Sequence, residues 1–321
     1  MIMQNRAIAS LLLGGLLFGL PAYSEAQSGA KVNNRRQPLN GFDVSNAVIP
    51  TSEMRSGGPP RDGIPAIDRP RFLRARQVNY LSDDDLVVSV TLDGKTRAYP
   101  LRILVRHEIV NDRIGQRAFA VTYCPLCGTA MVFDRSVGGR TRSFGVSGLL
   151  YRSDVLMYDR ESESLFSQLA MKAVAGPLAD TPLEWLPSEH MTWPAWRQRY
   201  PYGEVLSNRS GRNYSHNPYE GYDQSSDTAF PVPLYRSELP KKSWVFGVIV
   251  GEEAKAYSVA QLPPNQVVSD SVGGQEVHVA YDPAGRQPSV VRTDTGEPVP
   301  YVMVYWFAWQ AFYPETLIWT P

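Results

Sequence analysis

The sequence predicts a β-rich α+β protein in which two internally duplicated halves pack as one body. Short runs rich in Val, Tyr and Thr recur along the chain, and 26 prolines and 25 glycines are spread among them. This pattern favours strands and turns over helical bundles. An internal repeat is the observation that indicates two halves.

The repeat becomes visible when residues 87–146 are set over residues 245–304 without a gap. Fourteen positions are then identical, where unrelated sequences would share roughly four, so an internal duplication is expected. A Trp-x-Ala-Trp-x-x-x-Tyr-Pro pattern at residues 193–201 returns at 306–314 in a shifted register. The first copy therefore contains an insertion, between about residues 147 and 192.

These boundaries predict the organisation of the whole chain. In order, the predicted segments are a signal peptide at 1–26, an irregular N-terminal arm at 27–83, a first repeat with a cysteine loop and the insertion at 84–207, a linker at 208–242, and a second, degenerate repeat at 243–318.

The first segment has the three parts of a secretory signal. Arg6 is a basic residue near the start, residues 7–20 are mostly apolar, and Ser24-Glu25-Ala26 is a small-x-small cleavage site. Cleavage near Ala26 predicts a periplasmic or secreted protein. No stable membrane span is expected after cleavage, because a spanning helix needs roughly 20 consecutive apolar residues.

The charge balance excludes one class of partner. The chain has 32 basic and 32 acidic residues. A protein without a net positive field has no general attraction for nucleic acid, so nucleic acid is not expected as a partner.

The two cysteines are the strongest chemical signal. Cys124 and Cys127 are the only cysteines, and they enclose Pro125 and Leu126. A disulfide this short would constrain almost no chain, so metal or redox chemistry is the better explanation for an exported protein. The strand-like residues 118–123 and 130–133 on either side place the pair at a hairpin tip, as in metal knuckles.

Further ligands must come from other residue types, since a second Cys-x-x-Cys is absent. His107 precedes the hairpin and is the predicted third ligand. Two thiolates and an imidazole suit copper or zinc. The insertion supplies possible pocket residues beside the cysteines: Met157, Asp154, Asp159 and Gln168. The second repeat has Asn265, Asp282 and Gly285 at the positions of His107, Cys124 and Cys127, which favours one working copy.

Two other functions remain open at this point. One is a thiol-disulfide oxidoreductase in which Cys124 attacks and Cys127 resolves. The other is a non-enzymatic binding module whose disulfide stiffens the hairpin. The corresponding partners are a metal ion or an exported protein.

The ordered motifs resemble one known family. They include residues 57–65, 98–100, 107–112, 123–127, 144–148 and 157–160. In this order they are similar to the domain-of-unknown-function family 3179, over roughly residues 50–320. The resemblance implies an exported bacterial or archaeal protein and no defined activity. Phe166 departs from the tryptophan expected before Ser167-Gln168, so no role is assigned to an indole there.

Overall fold

Short strands make up most of the structure, a computed structural model that describes residues 39–209 and 212–321. The predicted signal peptide and the predicted arm up to residue 38 lie outside these residues. The first strands are β1 (Met54–Ser56), β2 (Phe72–Arg74), β3 (Leu86–Leu92), β4 (Lys95–Pro100), β5 (Ile109–Ile114), β6 (Arg117–Cys124), β7 (Thr129–Asp134), β8 (Ser136–Val137) and β9 (Arg140–Thr141). The predicted insertion contributes β10 (Phe144–Tyr151), β11 (Asp154–Asp159), β12 (Leu165–Ser167), β13 (Lys172–Ala175), β14 (Trp185–Leu186) and β15 (Glu189–Thr192).

The remaining strands follow in the C-terminal part. They are β16 (Glu204–Leu206), β17 (Trp244–Val250), β18 (Glu253–Ser258), β19 (Val267–Val272), β20 (Gln275–Asp282), β21 (Gln287–Arg292), β22 (Tyr301–Tyr305) and β23 (Leu317–Ile318). The α-helices are short: α1 (Leu101–Leu104), α2 (Trp193–Arg199) and α3 (Trp306–Phe312). Two 3-10 turns occupy Thr51–Glu53 and Ala75–Gln77. No helix among the described residues is long and apolar enough to cross a membrane.

The main sheets form a five-bladed β-propeller arrangement. We name two of them. The insertion sheet has the strand order β1-β10-β11-β12-β13, and the cysteine sheet has the order β14-β7-β6-β5. The other three are β15-β3-β4-β16-β2, β22-β17-β18-β23 and β19-β20-β21, with β8 and β9 pairing separately.

The predicted α+β body of two duplicated halves is therefore wrong. Of the described residues, 42% are in strands and only 9% in helices, and the five main sheets that they form do not divide into two halves. The alignment of residues 87–146 with residues 245–304 did not predict the architecture, because the aligned residues belong mainly to only four of the five sheets. The predicted insertion, together with β1 from the predicted arm, forms a complete fifth sheet.

The predicted arm contributes strands to two sheets. β1 pairs with β10 at one edge of the insertion sheet, and β2 pairs with β16 in another sheet. Apolar residues explain this attachment, since Met54 and Phe42 are buried with residues of the insertion sheet. The outer backbone groups at residues 149–151 of β10 are thereby paired, as buried backbone groups require.

The cysteine hairpin lies inside the largest buried cluster. Cys124 and Cys127 pack there with Met157 of the insertion sheet and with Trp306 and Trp309 of helix α3. Residues of different sheets thus converge on the hairpin tip. A polar or ionisable side chain at this point must find its partners within the protein, because water is excluded.

Candidate metal centre

The cysteine loop is the tip of the hairpin formed by β6 and β7. Cys124 is the last residue of β6 and pairs with Thr129, the first residue of β7. The backbone N–H of Cys127 donates to the carbonyl of Cys124 at 3.2 Å, which closes the turn. The predicted hairpin, with a strand leaving the loop, is confirmed. No helix begins at either cysteine, so neither thiol receives help from a helix dipole.

A second hairpin tip, between β10 and β11, faces the first. Tyr151 pairs with Asp154, and the two residues between them, Arg152 and Ser153, have φ values of 50° and 71°. Positive φ at both central positions is the geometry of a type I′ turn. This turn presents the Ser153 carbonyl to the cysteines, whose Sγ atoms donate to it at 3.8 Å from Cys124 and 3.2 Å from Cys127.

The two tips together bring three potential metal ligands to one place. The Sγ atoms of Cys124 and Cys127 and a carboxylate oxygen of Asp154 all lie within 4.8 Å of one another, and all three residues are buried. Asp154 is oriented by its neighbours, because it accepts hydrogen bonds from the Leu169 N–H at 3.0 Å and the Thr129 hydroxyl at 3.4 Å. Two thiolates and a carboxylate are a donor set that a borderline metal ion accepts.

Burial favours the protonated forms of the donor groups when no cation is bound. Desolvation raises the pKa of both thiols, and the neighbouring Cys124 raises that of Cys127 further. Desolvation also raises the pKa of Asp154 to about 7. A bound cation reverses this balance, since its charge stabilises thiolate and carboxylate and releases their protons.

Two buried oxygens beside the group have no hydrogen-bond partner among the described residues. They are the Ser153 hydroxyl oxygen and the Gln168 amide oxygen. The Gln168 amide nitrogen donates to the Thr122 hydroxyl at 2.7 Å, which fixes the side chain. Buried polar atoms normally have hydrogen-bond partners, so these two oxygens are available to a bound water or an ion. The residues present therefore fit a metal ion with its bound water.

The matching family model extends over most of the chain. The family is described as "Protein of unknown function (DUF3179)", and its model matches residues 61–316. The protein belongs to the DUF3179 family. The resemblance seen in the motifs is thereby confirmed, and the matched region of this DUF3179 chain contains every residue of the two hairpin tips. No curated protein and no solved structure matches it.

His107 lies outside the three-residue group. Its Nδ1 is 2.7 Å from the Pro65 carbonyl and its Nε2 is 2.7 Å from the Tyr214 hydroxyl. Since a carbonyl can only accept, Nδ1 carries the proton and Nε2 accepts from Tyr214. Both ring nitrogens are engaged, and burial lowers the pKa of His107. His107 is therefore held by Pro65 and Tyr214, and Asp154 is the residue that lies with the two cysteines.

The other predicted pocket residues divide between two places. Met157 is buried in the same cluster as the cysteines, and Gln168 binds Thr122 beside them. Asp159 instead accepts from the Glu161 N–H at 3.1 Å and lies 3.4 Å from the Arg142 guanidinium. It organises the turn after β11, away from the three-residue group.

Sequence reasoning missed two contributors. Ser153 acts through its carbonyl, which any residue type provides, so no side-chain signal could identify it. Glu108 is buried at φ 58°, and desolvation with the nearby Asp154 raises its pKa to about 8. Its position directly after His107 was visible in the sequence, but its left-handed backbone and its burial were not.

Proposed function

We propose that this protein is an exported metal-binding protein that holds one zinc ion through Cys124, Cys127 and Asp154. The observation that supports it is the group of three buried donor atoms within 4.8 Å. Two hairpins from different sheets meet there, so the group is preformed and does not depend on a flexible loop. Export rests on the predicted signal in residues 1–26 and places the protein in the periplasm or outside the cell.

The carboxylate is the reason to choose zinc over copper. Cu(I) prefers thiolates, thioethers and imidazoles, whereas zinc accepts carboxylate oxygen together with sulfur. Asp154, and not His107, accompanies the two cysteines. Zinc is usually four-coordinate, so a fourth position falls to the Ser153 carbonyl or to a water. The amide oxygen of Gln168 is available to accept a hydrogen bond from such a water.

The thiol-disulfide oxidoreductase is the weaker alternative. A reactive thiol needs a lowered pKa, usually from a helix N-terminus or a nearby cation. Here the pKa values of both thiols are raised by burial. Both side chains are also almost fully shielded from solvent, so a partner disulfide has no access to sulfur without opening of the hairpins.

Metal titration of the reduced mature chain, beginning at Gln27, tests the proposal. We expect one zinc per chain in competition with a chromophoric chelator, and thiolate-to-cobalt charge-transfer absorption when Co²⁺ replaces zinc. Cys124→Ser/Cys127→Ser should abolish both. Asp154→Asn should weaken zinc binding by at least about tenfold and leave the charge-transfer absorption in place. Asp282→Asn, at the tip of the hairpin β20–β21, is the matched control and should bind zinc normally.

Two outcomes would contradict the proposal. The reduced protein could take up no stoichiometric zinc, or Asp154→Asn could bind zinc as tightly as the parent. A metal-free protein whose cysteines cycle between dithiol and disulfide at about −270 to −120 mV would favour the oxidoreductase, because catalytic dithiols fall in this range.

A further inference from the structure

A cavity of about 450 Å³ lies on the outer side of the cysteine hairpin. Tyr123 and Pro125 of the hairpin form one wall, and residues from the coil after β16 form another. The cysteines themselves do not line it. The cavity is therefore a separate feature from the three-residue metal group, and its size suits a small molecule.

Several aromatic rings contribute to its lining. Tyr123, Tyr219, Tyr222, Trp244 and Tyr305 all contribute to it, and we call it the tyrosine cavity. The Trp244 and Tyr305 ring centroids are 4.3 Å apart. Burial raises the pKa of Tyr123, Tyr219 and Tyr305, so these phenols stay neutral and present uncharged π faces.

Carboxylates outnumber free cationic groups around these rings. Asp84, Glu220 and Asp223 line the tyrosine cavity together with the guanidinium of Arg286. Glu220 lies 3.5 Å from the ring of His216, and the Lys242 ammonium lies near Asp223. A second lining arginine, Arg102, is neutralised by Asp85 at 2.8 Å. An electron-rich aromatic lining with an excess of negative charge attracts cations and repels anions.

The protein already places one ammonium group on this aromatic surface. The Lys242 Nζ lies 3.3 Å from the centroid of the Tyr222 ring. It also donates to the Tyr222 carbonyl. One ring of the lining therefore already has an ammonium group of the protein over one of its faces.

We propose that the tyrosine cavity binds a small organic cation of the substituted-ammonium class. Quaternary ammonium groups are recognised by aromatic cages because the ring faces replace water around a diffuse positive charge. The carboxylates add a long-range attraction and favour cations over neutral molecules of the same shape. This inference is independent of the metal, since it uses none of the three proposed ligands.

Calorimetric titration with choline and tetramethylammonium tests it, with 3,3-dimethylbutan-1-ol as the neutral molecule of the same shape as choline. We expect saturable binding of both cations and at least about tenfold weaker binding of the neutral alcohol. Tyr219→Leu removes a ring and should weaken binding by about tenfold, whereas Tyr219→Phe keeps the ring and should bind within about threefold of the parent. Asp223→Asn should weaken binding severalfold and make it less sensitive to salt.

The ligand pair tests the unmodified protein, so the result does not depend on a variant that folds. Absence of saturable binding of both cations at millimolar concentration would overturn the inference. Equal binding of the neutral alcohol would also overturn it, because the site would then recognise shape alone. If Tyr219→Phe loses as much affinity as Tyr219→Leu, the hydroxyl makes the contact and a cation site is excluded. Zinc content measured in the same samples reports on the metal group separately.

Discussion

The hairpins β6–β7 and β20–β21 have the same register but different surroundings. Cys124 pairs with Thr129 at one tip, and Asp282 pairs with Gln287 at the other. Strand β7 is buried along its whole length, whereas β20 and β21 alternate between buried and more exposed residues. The difference is the insertion hairpin β10–β11, which covers the tip of the first hairpin. A hairpin tip of this kind becomes a candidate site when a second hairpin covers its other face.

The residues at the two tips suit these surroundings. Asp282 accepts a hydrogen bond from the Ala284 N–H at 2.9 Å and remains partly exposed, as a charged turn residue should. Thiols occur where the tip is buried, since a neutral thiol tolerates an apolar environment far better than a carboxylate does. Once the thiols ionise, the buried thiolates need a cation close by, because water cannot solvate them there.

The largest expected change in stability is at the residue that follows the loop in each hairpin. Gly128 has φ 67°, and a Cβ there would lie 2.4 Å from the Trp244 ring. Gly128→Ala combines left-handed strain with overpacking, so we expect a loss of about 4 kcal/mol in the free energy of unfolding. Urea denaturation measures it.

The matched control is Arg286, which occupies the aligned position and already has φ 48°. It is exposed, so Arg286→Ala should change stability by no more than about 0.5 kcal/mol. Similar losses of unfolding free energy for Gly128→Ala and Arg286→Ala would contradict the view that the two hairpin tips differ in burial.

A second prediction concerns the buried carboxyl of Glu108, whose aligned counterpart is Gln266. The folded-state pKa of about 8 lies above the ordinary value of 4.5. The folded protein therefore binds more protons than the unfolded chain between these values. The contribution of Glu108 to stability is full below about pH 4.5 and is lost as the pH rises to about 8.

Glu108→Gln removes this dependence. In the metal-free, reduced protein, the free energy of unfolding of the variant relative to the parent should rise by at least about 2 kcal/mol when the pH is raised from 5 to 8.5. Denaturation at both pH values, with Gln266→Glu as the exposed counterpart, provides the measurement. A parallel pH dependence in parent and Glu108→Gln would show that Glu108 is solvated.

The β-rich class was predictable because strand periodicity and turn residues are local signals. The hairpin at Cys124 and Cys127 followed from the strand-like residues on both sides of the loop. The number of sheets was not predictable, because it depends on how the predicted insertion pairs. Strand β10 finds β1, which lies some ninety residues earlier in the chain, and no local pattern encodes that pairing.

The candidate site was predictable to the same extent. The two cysteines were identified by residue type, and Asp154 was named as a pocket residue but not as a ligand. His107 was preferred because, of the four histidines, it is the one that directly precedes the hairpin. Its hydrogen bonds to Pro65 and Tyr214 depend on segments far from it in sequence, so only the folded chain distinguishes the two candidates.

The smallest expected effect tests a feature that the two regions share. The Tyr99 hydroxyl donates to Asp112 at 2.5 Å, and the Tyr257 hydroxyl donates to Asp270 at 2.8 Å. Each carboxylate also has a cationic partner, Arg97 at 2.9 Å for Asp112 and Lys255 at 2.7 Å for Asp270.

The cationic partner of the carboxylate remains in both variants. Tyr99→Phe and Tyr257→Phe should therefore each lower the free energy of unfolding by about 1 kcal/mol, the typical net value of one hydrogen bond. The two losses should agree within about 0.5 kcal/mol in urea denaturation at neutral pH. Asp112 is 6% exposed and Asp270 16%, a difference too small to leave one carboxylate desolvated and the other hydrated. A loss for Tyr99→Phe that exceeds the loss for Tyr257→Phe by more than about 2 kcal/mol would show that the first region is also more desolvated at Tyr99 and Asp112, in the strands that both regions have. The insertion hairpin would then no longer explain the contrast between the two hairpins.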